Sequence, residues 1–202
     1  MLWEIFLGIL AVLIILFLMN FYRDPERMIP HGPKLIVAPA DGKVISIIDT
    51  EKDKIRISKG LFGKINTMTK DIAKNCYVIS IFMSPLDVHI NRCPISGTVK
   101  SVKHTDGKFF KAYDLEKSFE NEKNEIVIEN DQIKVKFIQI AGFLARRIIC
   151  KLAKNQKVKI GDRMGMIALG SQTTIILPKS VYLNVHKGKK VVGGHTIIAH
   201  LK

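Results

Sequence analysis

Hydrophobic and polar positions change rhythm once along this chain. From Leu2 to Tyr22 apolar residues run almost unbroken, interrupted by Glu4 and Asn20. At 1.5 Å per residue, about 20 such residues make a helix roughly 30 Å long, which matches the hydrocarbon thickness of a bilayer. Beyond that point apolar positions come in short runs of strand length: Leu35 to Val37, Val44 to Ile48, Tyr77 to Met83, Val99 to Val102, Ile126 to Ile128, Ile133 to Ile140, Met164 to Leu169, Thr173 to Leu177 and Thr196 to Ala199. Turn residues separate them at Asp41-Gly42, Ser96-Gly97, Asp106-Gly107 and Gly193-Gly194. The alternating runs on either side of Glu129 to Asp131 predict a hairpin, and a short helix is expected around Leu144 to Leu152.

Two internal echoes carry the fold expectation further. PADGKVISI from Pro39 and PISGTVKSV from Pro94 share Pro-x-x-Gly-x-Val-x-Ser, while VKIGDRM from Val158 and VHKGKKV from Val185 share Val-x-x-Gly and a polar pair. Paired elements of this kind resemble the interlocked hairpins of lipoyl- and biotinyl-type domains. The expected fold is therefore mainly β: a compact barrel-sandwich-like domain with internally duplicated β-hairpins, over residues 23–202, preceded by one transmembrane helix in residues 1–22.

Charge refines this picture. Lys and Arg number 32 against 18 acidic residues, a net charge of +14, so an anionic partner is expected. A spanning helix already tethers the chain, so the charge serves better to orient the domain or draw anionic headgroups to it. No nucleic-acid reading motif accompanies it, and nucleic acid is not expected as a partner. MLWE carries no Lys or Arg, unlike the start of a secretory signal. Arg23, Arg27 and Lys34 lie only on the C-terminal flank of the apolar segment, which places the domain on the cytoplasmic side of a cell membrane. Phe21 and Tyr22 suit the interface. The three cysteines, Cys76, Cys93 and Cys150, are far apart and read as reduced thiols. The histidines have no zinc-site spacing, and no metal is expected.

Candidate chemistry centres on Gly170-Ser171, flanked by apolar runs on both sides. Glycine lets a nucleophile approach its carbonyl closely. The Ser171 hydroxyl can attack the Gly170 carbonyl and turn the amide into an ester. Loss of the Ser171 α-proton then expels the ester, and hydrolysis of the resulting dehydroalanine leaves a pyruvoyl group and ammonia. Such a ketone can condense with an amine and accept electrons from a departing carboxylate. Taken alone, Gly-Ser is as readily a tight turn.

The order of further segments identifies a resemblance. FYRDPER (Phe21 to Arg27), APADGKV (Ala38 to Val44), SIFMSPLDVHINRCPISG (Ser80 to Gly97), GKFFKAY (Gly107 to Tyr113), NEKNE (Asn121 to Glu125), IQIAGFLARRI (Ile138 to Ile148) and GMIALGS (Gly165 to Ser171) resemble, in this order, the phosphatidylserine decarboxylase proenzymes, in their short single-anchor branch. The resemblance covers nearly the whole chain from Phe21 onward. It implies conversion of phosphatidylserine to phosphatidylethanolamine and carbon dioxide in phospholipid biosynthesis. Ser171 becomes the pyruvoyl cofactor, and the cut after Gly170 gives a β chain, 1–170, and an α chain, 171–202, that stay together as a heterodimer. His89, in SPLDVH, matches the histidine that handles protons, and Asp41, in PADG, the aspartate of a charge relay. Arg146 and Arg147 are weaker candidates for gripping the phosphodiester or the serine carboxylate.

Two departures qualify the match. Arg92 stands where the longer branch has a second histidine that serves as base for self-cleavage, which leaves open which group deprotonates Ser171, with His89 the first choice. Gln172 stands where arginine is more usual, which opens the question of substrate or subunit contacts there. Singly, His89 reads as a structural histidine, Asp41 as a turn residue, the arginine pair as solvent-facing, and Asn121 and Asn124 as turn caps. Two rival functions remain: a membrane-tethered, non-enzymatic barrel-sandwich binding module, and a pyruvoyl decarboxylase of a soluble amino acid. Ester against ether lipid and the oligomeric state stay open.

Overall fold

A computed structural model of the chain describes residues 2–53, 59–108, 110, 115–142, 147–168 and 171–202. In chain order the elements are α1 (Leu2–Phe21), β1 (Leu35–Val37), β2 (Gly42–Asp49), α2 (Lys59–Thr69), β3 (Cys76–Met83), β4 (Ile90–Arg92), β5 (Gly97–Thr105), α3 (Leu115–Ser118), β6 (Lys123–Glu129), β7 (Lys134–Ile140), β8 (Ile148–Cys150), β9 (Lys157–Val158), β10 (Arg163–Ile167), β11 (Ser171–Pro178), β12 (Val181–Leu183), β13 (Lys190–Val191) and β14 (Ile197–Leu201). The fold is mainly β, and each apolar run anticipated as a strand falls in one, with ends within three residues of those expected. The β6–β7 hairpin closes with Glu129 opposite Lys134. The helix expected around Leu144 to Leu152 is corrected where it is described. Ile148–Cys150 is a strand, drawn out of helix by antiparallel pairing along β10, and residues 143–146 lie outside the described residues.

The strands form an eight-stranded sheet, β13-β2-β3-β11-β7-β6-β5-β9, and two three-stranded sheets, β1-β14-β12 and β4-β10-β8. One face of the large sheet packs on the small sheets through Ile79, Ile81, Phe137 and Ile175 against Ile36, Met164, Val181 and Ile198. The other face packs on α2 and the α3 region through Val78, Ile138 and Ile176 against Ile65, Met68 and Phe119. The central strand β11 is buried on both faces from Ser171 to Leu177, with no alternation of exposure. The α2 sequence contains Gly60 and Gly63, which weaken a helix. It folds because Leu61, Ile65 and Met68 recur on one face and close the second core.

The echoes are structural. Gly42 pairs with Val191 and Gly97 with Val158, while Lys43 pairs with Lys190 and Thr98 with Lys157. Both echo strands carry a bulge at the matching place, between Val44 and Ser46 and between Val99 and Ser101. Val37 N–H donates to the Pro94 carbonyl at 3.0 Å, and Arg92 N–H to the Pro39 carbonyl at 2.8 Å, a reciprocal pair. Reading the large sheet from either end therefore gives the same arrangement, β13-β2-β3-β11 answering to β9-β5-β6-β7.

The register of the second echo needs correcting. Val158 answers to Val191, not Val185, and Gly161 to Gly194, with φ of 84° and 75° and N–H groups donating to the Cys93 and Ala38 carbonyls, both at 2.8 Å. Gly188 answers instead to Asn155, both at positive φ, with N–H groups bonded to the Val44 and Val99 carbonyls. Shared letters misled because asparagine also tolerates the left-handed conformation, so one turn is spelled two ways.

The helix α1 has a mean hydropathy of 2.8 over its most apolar stretch, enough to cross a membrane by length and composition. Its residues from Leu2 to Leu16 are exposed, yet Phe21 at its end is only 3% exposed. Phe21 is thus no interfacial ring, unlike Tyr22, which stays open. Cys76 and Cys93 are free thiols that burial pushes up to about 11 and about 12, making both poor nucleophiles.

Candidate active site

Ser171 opens β11 and pairs with Met83, the last residue of β3. From Met83 the chain turns through Ser84 to His89 into β4, whose Ile90 pairs with Met166 of β10. Ala40, Met83 and Ile167 pack together as a small core of their own. The residues beside them in sequence, Asp41, the 84–89 connection and Ala168, are therefore drawn to one end of the sheet, where Ser171 pairs with Met83. Leu169 and Gly170 lie outside the described residues, as do Arg146 and parts of the GKFFKAY and IQIAGFLARRI motifs.

The sheet symmetry places the same residues together independently. Under the exchange of halves, Asp41 answers to Ser96, Met83 to Asn130, Ser171 to Ile133, Gly193 to Ile160 and Ile90 to Leu35. Those five counterparts line a single small cleft of about 120 Å³ at the opposite corner. One corner thus carries a carboxylate and a hydroxyl at positions where the other carries serine and isoleucine.

His89 is fully buried. Its Nδ1 lies 2.9 Å from the Asp87 carbonyl oxygen. A carbonyl only accepts, so Nδ1 carries the hydrogen and donates it, leaving the Nε2 lone pair available for a proton. Nε2 has no hydrogen-bond partner among the described residues, and neither does the buried Ser171 Oγ. Burial pushes the His89 pKa below its ordinary 6.5, outweighing the Asp87 carbonyl and carboxylate, which act the other way. The ring is therefore neutral near pH 7. Its face meets Phe21, with ring centroids 4.3 Å apart and planes at 42°.

Asp41 does not touch His89 in this arrangement. Its Oδ1 accepts the Gly193 N–H at 2.7 Å, and its Oδ2 accepts from Arg27 Nη2 at 2.8 Å. The first bond repeats a device of the fold, since Ser96 Oγ accepts the Ile160 N–H in the other half at 2.8 Å. The second bond has no such counterpart. Burial raises the Asp41 pKa, against the lowering pull of Gly193 and Arg27 and with a small further rise from Asp87.

Arg92 points away from the hydroxyl. It donates to the Gly161 carbonyl at 3.0 Å, the Pro25 carbonyl at 2.9 Å and Asp24 Oδ1 at 3.2 Å. A guanidinium so engaged is a fixed cation and no base. Gln172 is buried on the opposite face of the sheet, accepting from Ser118 Oγ at 3.2 Å and donating to Thr174 Oγ1 at 3.0 Å. Arg147 is exposed. Asn124 is no turn cap: it joins a buried amide chain in which Asn124 donates to Gln139 at 3.1 Å and Gln139 to Asn91 at 2.9 Å. Asn121 holds the carbonyls of Phe110 and Ala141 and the Phe110 N–H. Phe21 and Arg27 are the site neighbours that sequence reasoning did not single out, although both lie in a motif it had marked.

Comparison with known proteins gives a consistent answer. The family model described as phosphatidylserine decarboxylase matches residues 14–199. A "Phosphatidylserine decarboxylase proenzyme" of Chlorobium phaeobacteroides is 43% identical over 92% of this chain and 79% of its own. One from Prosthecochloris aestuarii is 42% identical over 95% and 81%. A Methanocaldococcus jannaschii protein named "Putative archaetidylserine decarboxylase proenzyme" is 40% identical over 96% and 94%.

Proposed function

The chain belongs to the phosphatidylserine decarboxylase family, and from this premise we propose that its chemistry runs through a pyruvoyl group made from Ser171. It is an enzyme that removes the serine carboxylate of phosphatidylserine as carbon dioxide and leaves phosphatidylethanolamine. The readings as a non-enzymatic module or a decarboxylase of a soluble amino acid lose their ground with the family match. Three buried polar atoms have no partner among the described residues, His89 Nε2, Ser171 Oγ and Thr173 Oγ1, and the observation that carries the proposal is that the first two belong to a histidine and a hydroxyl at one end of the sheet. A buried polar group left unpaired costs stability of about 1–3 kcal/mol. Two at one end of a sheet fit a site built for reaction rather than for folding.

His89 Nε2 takes the Ser171 hydroxyl proton, and Oγ attacks the Gly170 carbonyl carbon to exchange the amide for an ester. Removal of the Ser171 α-proton breaks the Cβ–O bond, frees Gly170 as a carboxylate, and addition of water releases ammonia. Held at the start of β11 in the place of Ser171, a pyruvoyl group would supply a ketone able to condense with an amine and to accept the electron pair of a departing carboxylate. His89 then returns to the substrate carbon a proton it has taken up at Nε2. Asp41, held by Arg27 and the Gly193 N–H, is the proposed carboxylate of the charge relay and also shapes the loop beside it. Arg146 and Arg147 remain candidates for the phosphodiester. The α and β chains form the heterodimer.

The helix α1 anchors residues 23–202 at the membrane, with the basic flank of Arg23, Arg27 and Lys34 on the cytoplasmic side. Because Phe21 lies against His89, the site sits where the chain leaves the bilayer, at the level of a lipid headgroup. The archaeal relative's name shares that headgroup chemistry and differs in the lipid tail. Intact-mass measurement of purified protein tests the proposal. The native chain is expected as two pieces divided after Gly170, the smaller with a blocked N-terminus, and Ser171→Ala as one uncut chain that releases no carbon dioxide from phosphatidylserine micelles. A folded native chain that stays whole would end the proposal.

A further inference from the structure

We infer that the segment leaving the membrane helix, Phe21 to Ile29, is a positioning element of the active site, in which Phe21 fixes the His89 ring and Arg27 fixes Asp41. The inference rests on the role proposed for His89. A plain tether needs no contact with the domain, yet this segment touches the loops that carry His89 and Asp41. The Phe21 ring covers one face of the imidazole, and the Asp87 carbonyl holds its Nδ1, so the ring is set from two sides with Nε2 free. Arg23 donates to the Leu86 carbonyl at 2.7 Å, within the connection that carries His89, and to the Asn20 carbonyl at 2.6 Å, which ties that connection to the last turn of α1.

Further along, Arg27 holds the Asp41 oxygen that the symmetric corner lacks. Asp24 bridges Arg92 and Arg163 at 3.2 and 2.6 Å, and the Pro25 carbonyl accepts from Arg92. Ile29 lies against both Gly161 and Gly194. These glycines are symmetry counterparts, so Ile29 sits between the two halves, where a side chain on Gly161 would collide with it and one on Gly194 would press on it and collide with Arg92. The membrane-proximal chain is thereby keyed into the domain at its centre and at its reactive corner.

The consequence is that losing Phe21 impairs chemistry even where membrane attachment is irrelevant. The full-length chain in detergent micelles, assayed for self-cleavage and for turnover of a short-chain, water-dispersed phosphatidylserine, separates the two effects. Phe21→Leu is expected to slow cleavage and lower kcat about tenfold with KM changed less than twofold, Phe21→Trp to recover most of the loss, and Phe6→Leu, higher in the same helix, to behave as native. The groups facing the ring are Asp87, which favours its cation, and Arg23, which opposes it. Admitting water in place of the Phe21 ring raises the depressed pKa, so the acid limb of the cleavage profile moves to higher pH. Arg27→Gln is expected to slow cleavage and Arg27→Lys to restore part of it.

Because Phe21→Leu could disturb folding, the His89 ring is also titrated by NMR in the uncut Ser171→Ala chain, with and without Phe21→Leu. A rise toward 6.5 in a variant whose remaining backbone amide shifts stay native supports the inference, since an unfolded chain would lose those shifts as well. An unchanged titration, or native rates and pH profile in both Phe21→Leu and Arg27→Gln, overturns it. A His89→Ala chain that still cleaves and turns over would instead remove the role on which the inference rests.

Discussion

His89 is ready to act because burial has taken its charge away. Its pKa is lowered, so the unfolded chain binds more protons than the folded one as pH falls through 6.5, and both base strength and a share of stability are lost on that side. The rate of precursor cleavage, followed by gel from pH 5 to 8, is expected to be level above about 6.5 and to fall below it; a rate that climbs with acidity would point to another base. Ser171, His89 and Asp41 were legible as residue types in marked motifs. Their environments were not. Nothing in the letters SPLDVH says that a backbone carbonyl, not a carboxylate, would hold the histidine's other nitrogen. Phe21 was misread because an aromatic at the end of an apolar helix usually faces the headgroups, and only tertiary packing turns it inward.

At the scale of elements, the longer strands were readable because each carries its own apolar run, and the two-residue strands β9 and β13 were not because their partners create them. They exist by pairing with the first residues of β5 and β2. Those first residues are Gly97 and Gly42, where an added Cβ would run into the carbonyl oxygens of Glu129 and Phe82. The echo in the sequence is thus a record of two close backbone approaches. Gly42→Ala and Gly97→Ala are each expected to cost roughly 2–4 kcal/mol, read as a fall in the midpoint of thermal unfolding. A midpoint within 1 °C of native in either variant would contradict the close approach. Gly42→Ala should also slow cleavage, since Asp41 precedes it, while Gly97→Ala should spare the chemistry in whatever fraction folds.

For the molecule as a whole, the fold presents two equivalent corners and equips one. Ser171 occupies the place of Ile133, and Asp41 that of Ser96. The segment that follows α1 makes partners at the equipped corner through Phe21, Arg23 and Arg27, which breaks the equivalence. The sequence revealed the repeat but not this asymmetry, because the residues that create it come from a segment outside the repeat. The anticipated duplication was correct for the Pro39 and Pro94 motifs and misaligned for the other pair, where an asparagine does a glycine's work.

The place of the cut within the sheet has a last consequence. The strand that begins at Ser171 is hydrogen-bonded to β3 on one side and β7 on the other over most of its length. The residues after it supply β14, which pairs with β1, and β12 beyond it, and lend β13 to β2. Severing the backbone ahead of that strand leaves every one of these ladders intact, so the fragments are expected to travel as one body through size exclusion at any dilution and to separate only in denaturant. On the proposed route each separated fragment lacks strands of the large sheet, and the carbonyl made at the break cannot be made again. Maturation by that route is a one-way door: an enzyme that has lost its shape after the proposed cut has no precursor to return to.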